Sequence, residues 1–218
     1  MRMRKKKHGE ERIQACSEFL IEAPAFLMTD PMAPFPKKDN RLCLEIGCGK
    51  GNFATGMAQK NQGDNLIAME KVSDVCCIAL EKAKASRESR AVDNLRFIIG
   101  NADNLIEWFP QNSVDCIYLN FSDPWPKAGH AKRRLTHKNY LEKYKQILKN
   151  GGELILKTDN VGLFDFSLEQ FAELGLTVEW QTRDLHNSER AKDNVMTEYE
   201  KNFSEKGFAI CSATVRFN

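Results

Sequence analysis

From residue 41 onward, short apolar runs alternate with segments whose apolar positions recur at helical spacing. Residues 42–46, 65–70, 95–99, 114–121 and 153–158 read as strands. Helices are predicted over 52–61, 73–87, 103–108, 136–148 and 161–173. Ser73 caps the second of these, with Val75, Ile78, Ala79 and Lys82 following at helical spacing. Thr136 is the expected cap of the fourth, and Asn150-Gly151-Gly152 its expected end. The run 114–121 is apolar on both faces, as a central parallel strand must be. Strands at 176–181 and 207–217 close the pattern. Such alternation predicts an α/β fold: a mostly parallel central sheet with helices on both faces, ending in an antiparallel C-terminal strand. Functional residues of such a sheet lie just beyond the carboxyl ends of its strands.

The first 38 residues break this rhythm. Arg2, Arg4, Lys5, Lys6 and Lys7 make a basic start, and residues 1–9 are expected to be disordered or ordered only on binding. A short amphipathic helix over 10–20 would bury Ile13, Cys16, Phe19 and Leu20. Pro24, Pro31, Pro34 and Pro36 then predict an extended connector over 22–38. The expected organisation is an arm of residues 1–38 and one domain of residues 39–218.

Composition narrows the class. The chain has 218 residues, 42% hydrophobic and 28% charged, the balance of a globular protein. No apolar run reaches the ~18–20 residues of a membrane span, and no apolar core follows the basic start as a secretory leader requires. Seven cysteines, an odd number with no CxxC pair, argue against a disulfide framework and a zinc site. Cys43, Cys76 and Cys116 sit in apolar runs and read as buried thiols, which suits a reducing cytoplasm. His8, His130, His137 and His186 have no metal-ligand spacing, so no metal is expected. The net charge of +2 says little. The local run Lys127, His130, Lys132, Arg133 and Arg134 says more, because a polyanion responds to local patches.

Two loops carry candidate chemistry. The first is Glu45-Ile46-Gly47-Cys48-Gly49-Lys50-Gly51, between a strand and a helix. Its glycines permit a tight turn and close approach of a ligand to backbone. The spacing is G-x-G-x-G, not the G-x-G-x-x-G of dinucleotide enzymes, and no G-K-[ST] phosphate loop is present. Glu45 before the loop suits a ligand with a sulfonium and an ammonium and disfavours a pyrophosphate. Glu70 ends the next strand, where an acid can hold two ribose hydroxyls. These features resemble motif I of S-adenosyl-L-methionine-dependent methyltransferases. In that superfamily the position of Asn101 usually contacts the adenine, with Asp103 a nearby alternative.

The second loop is Asn120-Phe121-Ser122-Asp123-Pro124-Trp125-Pro126-Lys127, continuing to His130-Ala131-Lys132-Arg133-Arg134. An acid stiffened by flanking prolines and followed by cations suggests a charged polymeric substrate. With Leu156-Lys157-Thr158-Asp159-Asn160 and Thr197-Glu198-Tyr199-Glu200-Lys201-Asn202-Phe203, this loop resembles the bacterial tRNA (guanine-N7-)-methyltransferases of the Rossmann-like class I superfamily. The resemblance covers nearly all of the chain beyond its N-terminal arm. It implies methyl transfer to N7 of the variable-loop guanine, position 46 of tRNA. It implies a cofactor pocket lined by Glu45, Gly47, Gly49, Gly51, Glu70, Asn101 and Asp123, with Asp123 also catalytic. It assigns tRNA contact to Lys127, Gly129, His130, Ala131, Lys132, Arg133, Arg134, Asp159, Thr197, Glu198, Tyr199 and Glu200. Some relatives carry an acid at the position of Asn101. The resemblance allows a monomer or a homodimer and leans to the homodimer.

Guanine N7 is an acceptor without a proton, so its lone pair can attack a methyl group directly. Positive charge then develops on the base, where a carboxylate stabilises it. Asp123 could instead accept hydrogen bonds from the base and orient it. Trp125 could stack on a base or plug a gap, while Trp108, Trp180 and the phenylalanines are expected in the core. Three rival readings are weaker. An amino-group methyltransferase needs a second proline where Trp125 stands. A silent RNA-binding module has no use for the intact Glu45, glycines, Glu70 and Asp123. A small-molecule methyltransferase has no use for the basic run.

Overall fold

The computed structural model describes residues 7–25, 27–87 and 92–218, and the chain divides into two compact units, 1–110 and 111–218. Arg2, Arg4, Lys5 and Lys6 lie outside the described residues.

In the first unit, β1 (Leu20–Ile21), β2 (Arg41–Ile46), β3 (Asp64–Glu70) and β4 (Leu95–Ile99) pair in parallel, in the order β1-β4-β3-β2. β3 is buried along its whole length, which explains its unbroken apolar run. The helices are α1 (Gly9–Gln14), α2 (Asn52–Lys60), α3 (Ser73–Arg87) and α4 (Leu105–Trp108). The expected helix over 10–20 ends early. Phe19 is buried, and Leu20 and Ile21 pair with Phe97 and Ile98, so sheet formation takes the residues that would have continued it. α1 is tied to α3 by a bidentate pair, Arg12 Nε and Nη2 donating to Glu81 Oε1 and Oε2 at 2.7 and 2.6 Å. The proline-rich connector is also not simply extended. It turns over residues 31–36 and buries Phe35. Asn65 and Arg96 donate to the carbonyls of Lys37 and Pro34, both at 2.6 Å, and fasten it to β3 and β4.

In the second unit, β5 (Val114–Asn120), β6 (Leu148–Thr158), β7 (Thr177–Thr182) and β8 (Cys211–Arg216) lie in the order β5-β6-β8-β7. β5 and β6 are parallel, and both pairings of β8 are antiparallel. The helices are α5 (Lys138–Ile147), α6 (Val161–Glu173) and α7 (Glu198–Ser204). The cap of α5 is His137, whose Nδ1 accepts from Asn139 N–H at 3.2 Å. Thr136 cannot serve, because its buried hydroxyl bonds Ser167 Oγ at 2.7 Å. Gly151 and Gly152 lie within β6, where Gly151 N–H donates to the Phe217 carbonyl at 2.8 Å, so they are not a helix stop. The last strand starts at Cys211, not at residue 207.

All seven cysteines are buried free thiols. Trp108 and most phenylalanines are buried, but Phe208 is exposed and Trp180 on β7 is half-buried under the guanidinium of Arg190. Among the described residues no helix is long and apolar enough to cross a membrane, and no group of acids, cysteines and histidines could hold a metal.

Candidate active site

In the first unit the glycine loop follows β2 and opens α2. Gly47, Gly49 and Gly51 have φ of +80°, +56° and +74°, a region that side chains strain to enter. Gly51 is doubly constrained, since a Cβ there would come within 2.7 Å of Ala79 Cβ on α3. At Gly47 and Gly49 a Cβ would meet nothing within 4 Å, so this part of the loop borders open space. Glu70, at the end of β3, braces the loop. Its Oε2 accepts from Gly49 N–H at 3.1 Å and its Oε1 from Val72 N–H at 2.9 Å. Glu45 is 1% exposed. Burial first, then the negative charge of Glu45, and further on that of Glu70, push the Cys48 thiol well above its ordinary range. The loop is therefore an electronegative cradle, fit for a cationic ligand with hydroxyls to offer Glu70. Asn52 adds a buried Oδ1 without a hydrogen-bond partner at the first residue of α2. Asn101 lies exposed two residues beyond β4, its Nδ2 donating to Asp103 Oδ2 at 2.8 Å.

In the second unit Asp123 lies exposed three residues beyond β5. The backbone around it is unusual. Phe121 and Trp125 have φ of +53° and +41°, and a bulky residue in that region costs roughly 1–3 kcal/mol. Both ends are held. Phe121 N–H donates to the Lys157 carbonyl at 2.8 Å, and its ring lies 5.1 Å from that of Tyr199. Trp125 has the Arg133 guanidinium 4.9 Å from its ring centroid and the His130 ring edge-on at 5.6 Å. Residues 128–133 form 3-10 turns that display Lys132 and Arg133 to solvent, with Lys127 and Gly129 also exposed and Ala131 half-buried. Arg134 is different: half-buried, it donates from Nε to the Pro124 carbonyl at 3.0 Å and from Nη2 to the Trp125 carbonyl at 3.1 Å.

Asp159 directly follows β6 and accepts from Tyr199 Oη at 3.3 Å. Thr197 caps α7 in a reciprocal box with Glu200, and Glu198 and Tyr199 face solvent. Glu200 does not belong with the RNA contacts. It is 0% exposed, and its carboxylate takes four donors: His186 Nε2 at 2.9 Å, Asn194 Nδ2 at 2.5 Å, Lys157 Nζ at 2.7 Å and Thr197 N–H at 3.3 Å. A carboxylate so engaged has no acceptor site left for RNA. Burial pushes this carboxyl up, but the Lys157 charge and the hydrogen bonds outweigh it and hold the group below the ordinary carboxylate range. Lys157, His186 and Asn194 were not among the residues expected to act. The lysine directly after the apolar run Leu154-Ile155-Leu156 is the signal that could have found them, since a buried ammonium demands an acid.

The 16S rRNA methyltransferase KamB is 14% identical and matches with a TM-score of 0.60 over 82% of this chain and 88% of its own. An antibiotic-related methyltransferase, 15% identical, matches with a TM-score of 0.57 over 98% and 96%. Identity this low speaks for the fold, which is the Rossmann-like class I methyltransferase fold. The family model described as "Putative methyltransferase" matches residues 39–213. The relative from Streptococcus thermophilus is 43% identical over 100% of this chain and 99% of its own length, and that from Lysinibacillus sphaericus 44% over 96% and 95%. Both are tRNA (guanine-N(7)-)-methyltransferases, and this chain belongs to their family.

Proposed function

We propose that this protein transfers the methyl group of S-adenosyl-L-methionine to guanine N7 of tRNA, at position 46 in the variable loop. The observation that carries this reading is the loop after β5. It presents an exposed Asp123 on a rigid, strained backbone, followed by exposed Lys127, Lys132 and Arg133. The cofactor, when bound, supplies an electrophilic methyl on a sulfonium. Glu45 and Glu70 favour that cation, and Glu70 takes the ribose hydroxyls in exchange for part of its hold on the loop amides. Gly47, Gly49 and Gly51 let the backbone approach, and Asn101 meets the adenine. Asp123 is the catalytic residue: it orients the guanine and offsets the positive charge the ring acquires, and no proton has to leave N7. Lys127, Lys132, Arg133 and the exposed part of α7 hold the tRNA, and Asp159 holds Tyr199. Residues 39–218 form the catalytic domain, with 1–38 as its arm. The seven free cysteines suit the reducing cytoplasm, and a homodimer is the favoured assembly.

The test is incubation of unmodified tRNA with the protein and isotopically labelled cofactor, then nuclease digestion and mass spectrometry of the nucleosides. Labelled 7-methylguanosine is expected, and it should vanish when guanine 46 is replaced by adenine. A label on an exocyclic amino group, or no label at all, would overturn the reading.

A further inference from the structure

The basic run after Asp123 is not one kind of residue repeated. Lys132 and Arg133 are exposed, whereas Arg134 turns inward and spends its guanidinium on the protein itself. Two of its nitrogens reach two consecutive carbonyls, those of Pro124 and Trp125, at 3.0 and 3.1 Å. Its flat face lies 4.3 Å from the ring centroid of Phe166 on α6. Phe166 is in turn stacked on His137, the cap of α5, at 6.3 Å. The guanidinium thus joins the segment just after Asp123 to α6, whose Phe166 also stacks on the cap of α5.

The segment needs such a fastener. Pro124 and Pro126 have no N–H with which to make backbone hydrogen bonds. Trp125 is in the left-handed region, a conformation that persists only where surrounding structure over-determines it. On the other side of Asp123, Phe121 is held through β6. Asp123 is therefore suspended between two strained aromatic residues, and Arg134 holds the backbone of the downstream one, whose ring Arg133 and His130 flank.

We propose that Arg134 is a positioning residue for Asp123 and does not touch tRNA phosphate. Planarity is the reason for an arginine here. A guanidinium can bridge two carbonyls while lying on a ring, and an ammonium cannot. This inference rests on the reading of Asp123 as the residue that acts on the target guanine.

The decisive variant is Arg134→Lys, with Arg134→Ala and Lys132→Ala/Arg133→Ala beside it. The single-turnover rate is measured at saturating tRNA and cofactor, and tRNA affinity is measured across a salt series. Arg134→Lys keeps the charge, so a phosphate-binding role would leave its rate and its salt slope near those of the wild type. Positioning predicts a saturating rate down by roughly 100-fold, the scale of loss that follows a displacement of about 1 Å. Cofactor affinity, tRNA affinity and the slope of log affinity against log salt should all stay as in the wild type. Arg134→Ala should behave like the lysine variant. The Lys132/Arg133 double variant should shrink the slope by ~0.7–0.9 for each phosphate it no longer neutralises, a change that neither Arg134 variant should show. A wild-type rate in Arg134→Lys overturns the proposal. So does a shrunken salt slope in Arg134→Ala, whatever its rate. Should Arg134→Ala not fold, Arg134→Lys carries the test with Phe166→Leu, which removes the aromatic face and should lower the rate in the same direction. Failure of the underlying functional reading shows separately, as absence of 7-methylguanosine in the wild-type arm.

Discussion

Glu70 ties two loops together, accepting from Gly49 N–H between β2 and α2 and from Val72 N–H between β3 and α3. A carboxylate in this place both braces the glycine turn and offers charge-assisted acceptors to ribose hydroxyls. Glu70→Ala removes both. Cofactor affinity should fall by ~1–3 kcal/mol, about 5- to 150-fold, measured by calorimetry on variants whose circular dichroism matches the wild type. Unchanged affinity in a folded variant would remove Glu70 from the ribose site. Cys48 nearby needs no such test. Its thiol, pushed up by burial and by the two acids, stays protonated and unreactive near neutrality.

At the scale of elements, β6 and α7 are joined by one buried ion pair. Lys157 and Glu200 stand 43 residues apart, and the same ammonium also donates to Asn194 Oδ1 and the Val195 carbonyl, at 3.1 and 2.9 Å. α7 has a single buried residue, Glu200, so the pair and the capping box anchor it more than apolar packing does. The depressed carboxyl sets the sign of the pH effect. A group whose folded pKa lies below its unfolded one stabilises above the ordinary carboxylate range, and that stability is lost as pH falls through the folded pKa. Denaturant midpoints followed from about pH 7 down to about pH 3 should drop in the wild type across the acid end of this range. Glu200→Gln should already be weaker at neutral pH, by ~3–5 kcal/mol, because it takes the opposing carboxylate from a buried ammonium. Its acid limb should be shallower. Parallel curves for the two proteins would mean that Glu200 does not carry the acid sensitivity.

At the scale of the whole molecule, the proposed RNA contacts run from Lys127 to Tyr199, far more chain than one nucleobase can touch. Binding energy gathered away from the reacting atoms can be spent on orienting them, so a substrate lacking the remote parts loses rate as well as affinity. Free GTP should therefore be methylated with kcat/KM lower than that of folded tRNA by ~100-fold or more, much of the loss in kcat. Single-turnover and steady-state assays on both substrates would measure this. Comparable efficiency on the two would turn the reading toward a small-molecule methyltransferase.

The amino-acid order by itself determined what is local and periodic. It carried the alternation of strand and helix, the glycine turn between Glu45 and α2, the acid closing β3, and the proline-stiffened Asp123 after β5. Period and spacing are one-dimensional properties, and the parallel arrangement they demand puts these residues at strand ends. Tertiary structure decided what each charged side chain does. Arg134 and Arg133 are neighbours of the same kind in sequence. One meets two backbone carbonyls and the face of Phe166, and the other lies exposed over the ring of Trp125, a difference to which α6, more than 30 residues on, contributes. Glu200 looked like part of a polar recognition motif until Lys157 and His186 closed around it. α7 itself was hidden because it is short and its one buried side chain is an acid, with a capping box and the Tyr199–Phe203 pair in place of a buried apolar stripe. Thr136 yielded its expected place as cap to His137 because Ser167 had taken its hydroxyl. In each case the residue has two physically sound uses, and the choice between them depends on partners that only folding brings within reach.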